Sequence, residues 1–347
     1  MQPQKKPRNP FLDIIKGGLI ILVVVGHLIQ TNIPNFDDNL FFRLIYSFHM
    51  PMFIGISGYV AFISMKDEPF FKKIKKRFLA LVVPFLSWYF IYGYLVRGTF
   101  RTIDIRTYII QLIKSPDYGL WFLWILFLCF VVLFLIKEFE RIPQTIIKKS
   151  HLEKVLIVGT ILYLYLIHYE LLGIGLLKWH FPSFIIGYLI AEHIEFFKKY
   201  TKLITEGIFV GYPTLLFFWN RVKDPRIPKF IVNFLHTYVW IVPTLFRYIV
   251  ALLGSIFFVT ILYKITNQRI KDILEFLGNN TLDIYVIHFN LLGFVGIMGI
   301  VGLESSALDY ISIALCTIIV LSLSIFISKY IIRQSTLLST LFLGGRN

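Results

Sequence analysis

Lys16 and His27 stand 11 positions apart in the first long apolar run, FLDIIKGGLIILVVVGHLIQ. At about 100° per residue that spacing is about 1100°, roughly 20° from three full turns, so on a helix both side chains leave one face. At 1.5 Å per residue they are separated by about 16 Å along the axis. Asp13, three positions before Lys16, is within reach of an ion pair with it. An imidazole ionises near neutral pH, which suits His27 to take a proton from a hydroxyl. Charged groups inside a bilayer cost several kcal/mol unless they are paired or face water, so this polar stripe marks a candidate site. Snorkelling of Asp13 and Lys16 to the interface is the plain alternative.

Further candidates lie on later runs. In YSFHMPMFIGISGYV, His49 stands beside Pro51 at the expected outer mouth of a second helix, followed by the small residues Gly55, Ser57 and Gly58. Arg247 falls near the outer end of another run, where snorkelling also accounts for it. In FLGNNTLDIYVIHFNLL, Asn279–Thr281 reads as a helix start, with Asp283, Tyr285 and His288 within the helix. KKIKKR, Lys72–Arg77, is the densest basic cluster, and a stop beside anionic headgroups explains it. The chain contains no G-x-S-x-G, H-E-x-x-H, Walker A or CxxC pattern, so hydrolase, zinc and nucleotide-hydrolysing chemistry has no motif to stand on. A histidine acting directly as base, with no metal, is the simplest chemistry available.

These residues need a bilayer to position them. Of 347 residues, 57% are hydrophobic and only 16% charged, and the mean hydropathy is +0.72. Apolar runs of roughly 18–25 residues recur along the chain, long enough to cross a hydrocarbon core. The expected fold is all-α, a polytopic bundle of about ten transmembrane helices near 11–31, 44–64, 78–97, 118–136, 155–173, 179–194, 206–219, 238–263, 281–302 and 308–330. Both termini are expected in the cytoplasm, because most of the 35 Lys and Arg then fall on cytoplasmic segments. That placement accounts for the net charge of +15 without a nucleic-acid partner. The first run reads as a retained span, not a cleaved leader, and residues 1–347 as one membrane-embedded domain with no soluble domain appended. Loops are expected near 98–117 and 220–237; the second is basic (Arg221, Lys223, Arg226, Lys229) and suits an anionic glycan or lipid as well as plain solvent. Cys129 and Cys316 fall in apolar runs and read as buried small hydrophobes.

Over nearly its whole length the chain resembles the integral-membrane acyltransferase 3 family, and within it the fucose 4-O-acetylases and related sugar O-acetyltransferases. LDIIKGGLIILVVVGH is similar to the family's opening span, SFHMPMFIGISGYV to the second, and RFLALVVP to the segment opening the third. LWFLWIL, HFPSFIIGYLI and LGNNTLDIYVIHF follow in the family's order. The resemblance implies transfer of an acetyl group from cytoplasmic acetyl-CoA to a hydroxyl of an envelope carbohydrate: a surface polysaccharide, a glycolipid or a lipid-linked sugar. His27 matches the essential histidine, and Lys16 stands where a basic partner is usually arginine. Arg77 matches a position proposed to meet the CoA phosphates. A second arginine common three residues later is Ala80 here, with Lys73 or Lys76 as its substitute. Ser57, Tyr285 and His288 match motif positions.

The expected mechanism docks the phosphates on Lys16, Arg77 and neighbouring lysines. His27, with help from His49, then deprotonates a sugar hydroxyl that enters from outside. The rival reading is a transporter or flippase for a lipid-linked sugar or exopolysaccharide, which also uses charges at the midplane. A purely structural subunit would leave the His27 stripe unused. The expected location is the cell membrane, with lipid as the surrounding partner.

Overall fold

The computed structural model describes residues 9–95, 104–116, 119–142, 149–167, 169–222, 241–297 and 307–345. Lys223, Arg226 and Lys229 of the expected basic loop lie outside them. Among the described residues the chain is helical throughout, with no strand.

Helix α1 (Pro10–Asn32) starts where Asn9 accepts the Phe11 N–H at 3.0 Å and Pro10 takes the first helical position. Its 23 residues reach about 35 Å, enough for a bilayer core. Helices α2 (Leu40–Tyr46) and α3 (His49–Ser64) follow with a break at Ser47–Phe48. The break has a local cause: Pro51 carries no N–H for the Ser47 carbonyl. The Ser47 hydroxyl donates to the Leu44 carbonyl at 2.9 Å and lies 2.8 Å from the Tyr212 hydroxyl, so the polar groups at the break are satisfied.

The basic α4 (Phe70–Arg77) passes through a π-helical turn, Phe78–Val82, into α5 (Val83–Leu95). Pro84 cannot donate to the Ala80 carbonyl, which favours widening the helix at this turn. Amphipathic α6 (Ile105–Lys114) occupies the middle of a segment expected to be loop. Next come α7 (Trp121–Arg141), α8 (Lys149–Leu166), α9 (Ile174–Glu192) and α10 (Ile194–Phe218). The chain then forms α11 (Ile241–Tyr263), α12 (Gln268–Asn279), α13 (Thr281–Ile297), α14 (Ala307–Tyr330) and the short α15 (Thr336–Leu343).

Among the described residues, six stretches are long and apolar enough to cross a membrane: Pro10–Asn32, Leu40–Ser64, Trp121–Arg141, Leu171–Glu192, Val242–Tyr263 and Leu308–Gln334. Gly207–Phe218 and Thr281–Leu292 are apolar but shorter. These six fall on six of the ten expected spans, and the two shorter helices fall on two more. Leu308, Ile311, Leu315, Ile318, Ile319 and Phe326 form an outward apolar stripe on α14, a surface suited to lipid and costly in water. The chain is a helical membrane protein.

The described chain divides into two compact units. The first comprises residues 1–53, 195–284 and 294–325, and the second 54–194, 285–293 and 326–347. In the first, α1 lies along α12 so closely that a side-chain carbon on Gly17 would collide with the Leu274 carbonyl. One on Gly278 would collide with the Asp13 backbone. In the second, Gly58 meets the Phe184 backbone and Gly187 the Gly55 backbone, the close approach that the small residues of ISGYV suggested. Cys129 and Cys316 are buried and unbridged.

Candidate functional site

Two groups of candidate side chains stand out, one in each unit. In the first unit, α1 carries Asp13, Lys16 and His27. Asp13 is buried and pairs with Lys16, whose side chain keeps a quarter of its surface exposed. The pair forms where α12 crosses, because Gly278 lets the helices close on Asp13. His27 sits half-buried just over three turns beyond Lys16.

The His27 ring meets α2 edge-on, 6.4 Å from the Tyr46 ring, with Nδ1 3.4 Å from the Tyr46 hydroxyl. Tyr46 donates its only hydroxyl hydrogen to Gln30 Oε1 at 2.8 Å. Its oxygen therefore faces His27 Nδ1 as an acceptor, which suits the tautomer protonated at Nδ1 and basic at Nε2. His49 adjoins the same tyrosine, at 4.7 Å between ring centres. Its Nδ1 lies 2.8 Å from the Ile45 carbonyl, which can only accept, so Nδ1–H is fixed and the neutral His49 ring too is basic at Nε2. His49 is buried and opens α3, directly after the break at Ser47–Phe48.

Arg221, read in the sequence as one of four loop cations, is instead tied down. It pairs with both oxygens of Asp37 at 2.9 and 3.2 Å and lies over the rings of Phe36, Phe42 and Tyr46 at 5.3–5.8 Å. Arg43 donates to the Phe217 and Trp219 carbonyls at 2.7 and 2.8 Å, satisfying the open end of α10. Arg43 was not singled out from the sequence, and Arg221 was read only as a loop cation. Both partners are distant in the chain, so spacing gave no signal. Arg247 is half-buried on α11.

The second unit gathers three of the expected donor residues. Lys73, Lys76 and Arg77 line a cavity of about 300 Å³ with Lys66, Glu68, Ser64, Met65, Ala61, Phe130 and Phe134. The Arg77 guanidinium lies 3.8 Å from the centre of the Phe130 ring, and Lys73 lies 5.2 Å from that of Phe134. Lys73, buried, also reaches Glu138 at 3.4 Å. Lys76 contacts both oxygens of Glu68 at 2.7 and 2.8 Å, and Lys72 reaches Glu68 at 3.7 Å. The hydrogen bond from Lys76 holds the Glu68 carboxyl below its ordinary range. A second cavity of about 340 Å³ shares Met65, Lys66 and Lys73 with the first. There Lys137 bridges Glu140 and Glu153 at 3.0 and 2.7 Å, and Arg141 pairs with Glu138 and Asp67. The cations of the second cavity are thus largely neutralised by carboxylates.

Also in the second unit, α13 presents Tyr285 and His288, both buried, with ring centres 5.8 Å apart. Tyr285 donates to the Gly119 carbonyl at 3.3 Å, and its ring lies 5.3 Å from that of Phe122. Gly119 has φ +67°, a backbone state that a side chain would resist, and this turn brings its carbonyl to Tyr285. Beside it, Trp121 and His180 stack at 4.8 Å. Their runs, LWFLWIL and HFPSFIIGYLI, were legible only as motifs, because a residue-by-residue reading of apolar helices does not reveal which rings stack. Ser57 is half-buried on α3. Among the described residues no three His, Cys, Asp or Glu side chains come together as a metal site.

The chain is 30% identical over 193 residues to the nodulation protein NolL of Sinorhizobium fredii (strain NBRC 101917 / NGR234), which covers 54% of this chain and 50% of that protein. It is 28% identical over 192 residues to the nodulation protein NolL of Mesorhizobium japonicum (strain LMG 29417 / CECT 9101 / MAFF 303099), covering 54% and 49%. The chain thus aligns with about half the length of these relatives. No solved structure matches it. Residues 9–329 match the acyltransferase domain family, and a helical membrane chain with a hydrogen-bonded histidine on its first helix and a basic, aromatic-walled cavity belongs to that family.

Proposed function

We propose that the protein is an integral-membrane O-acyltransferase that moves an acetyl group from acetyl-CoA to a hydroxyl of an envelope carbohydrate, acting in the cell membrane with its termini in the cytoplasm. The observation that carries this reading is the Tyr46–His27 contact: Tyr46, committed to Gln30, turns its oxygen to His27 Nδ1, an arrangement suited to a ring basic at Nε2. His27 Nε2 takes the proton of the acceptor hydroxyl as its oxygen attacks the thioester carbonyl. The C–S bond breaks, and the sulfur leaves with that proton, regenerating the neutral ring. His49, held in the same tautomer by the Ile45 carbonyl, assists in placing the hydroxyl. Lys73, Lys76 and Arg77 take the donor's phosphates, Arg77 with the bidentate geometry a guanidinium offers. Lys16, paired with Asp13, adds positive charge on the His27 face of α1.

The carbohydrate acceptor rests on the resemblance to sugar O-acetyltransferases, and the relay and cavity agree with an alcohol acceptor and a phosphate-bearing donor. The test is purified protein in detergent with radiolabelled acetyl-CoA and envelope carbohydrate extract. Label in the carbohydrate, with stoichiometric release of CoA, is the expected result. Carbohydrate binding without CoA release would instead favour a transporter.

A further inference from the structure

We infer that Glu68 is a resident counter-anion of the basic cavity, holding Lys76 in the place a ligand phosphate takes, and so sets the affinity for the acyl donor. This rests on the donor reading of that cavity. Glu68 and Lys76 both line it, and both carboxylate oxygens contact the Lys76 ammonium, at 2.7 and 2.8 Å. Lys72 adds a second, longer contact at 3.7 Å. Glu68 sits in the connection between α3 and α4, where its N–H donates to the Lys66 carbonyl at 3.0 Å. The backbone thus presents the carboxylate to the first turns of α4, where Lys72 and Lys76 project four residues apart.

A carboxylate and a phosphate oxygen use the same donors of an ammonium, so they compete for Lys76. Lys73 is placed differently: it is buried, over Phe134 and near Glu138, and carries its charge into the cavity wall. A phosphate entering the cavity draws Lys76 from Glu68 and leaves that carboxylate to solvent, where one-fifth of its side-chain surface already lies. The cavity therefore binds phosphate more weakly than its cations alone would, and releases product CoA more readily.

The test measures CoA affinity by titration calorimetry on the full chain in detergent. Glu68→Gln should tighten CoA binding by about threefold, the scale of one exposed ion pair. Glu68→Asp, which keeps the charge, should stay nearer wild type. In a Lys76→Gln background, Glu68→Gln should lose most of its effect, which a merely structural role for Glu68 would not produce. Unchanged or weakened CoA binding in Glu68→Gln, with wild type binding CoA, would overturn this inference and leave the donor reading standing. Wild-type protein that does not bind CoA would overturn both.

Discussion

The His27 relay and the basic cavity treat polarity in opposite ways. Around His27 the hydrogen-bonding rings are paired with neutral partners, Gln30 for Tyr46 and the Ile45 carbonyl for His49. The nearby charge of Arg221, over Tyr46, is paired with Asp37. Around Arg77 the groups are charged, and their partners are exchangeable carboxylates such as Glu68 and Glu138. A neutral imidazole costs far less to keep inside an apolar bundle than an ammonium, and a fixed backbone acceptor sets which nitrogen stays basic. Under the proposed function, cations that receive a multiply charged ligand do better where water and carboxylates hold them between turnovers. The chemistry is rigid in one region and substitutable in the other.

That contrast predicts graded effects. The largest should follow Gly278→Leu, which drives a side chain into the Asp13 backbone and separates α12 from the helix carrying His27. Destabilisation of about 3 kcal/mol or more is expected, read as a lowered thermal midpoint in detergent. Arg77→Ala removes a charged donor and its packing on Phe130; CoA affinity should fall about tenfold or more while the thermal midpoint changes little. Equal CoA affinity in that variant would break the comparison on the cavity side. Smallest is Tyr46→Phe, which keeps the ring against Phe42 and His49 but removes the oxygen facing His27. Turnover should drop about fivefold with CoA affinity unchanged, the effect of one hydrogen bond.

Much of this was legible in the sequence because helical spacing is local. The 11-residue interval placed Lys16 and His27 on one face, Asp13 fell within pairing distance, and Lys73, Lys76 and Arg77 were grouped by a short basic run. Gly55 and Gly58 were read as close-approach residues, and the backbones of Phe184 and Gly187 meet them. What stayed hidden depends on contacts between distant segments. Arg221 looked like a loop cation until Asp37, 184 positions earlier, accounted for it. The stacking of Trp121 on His180 could not be read from two apolar runs. Helix α6 was expected as loop and α12 was not expected at all, because each is short and amphipathic and lacks the long apolar run of a span.

The most direct measurement compares wild type with His27→Ala for two quantities in one preparation: CoA affinity and transfer of labelled acetyl from acetyl-CoA. Removing a general base should lower transfer by about 100-fold or more. CoA affinity should stay at the wild-type value, because the cavity's cations are untouched. Transfer at the wild-type rate in His27→Ala would contradict the account.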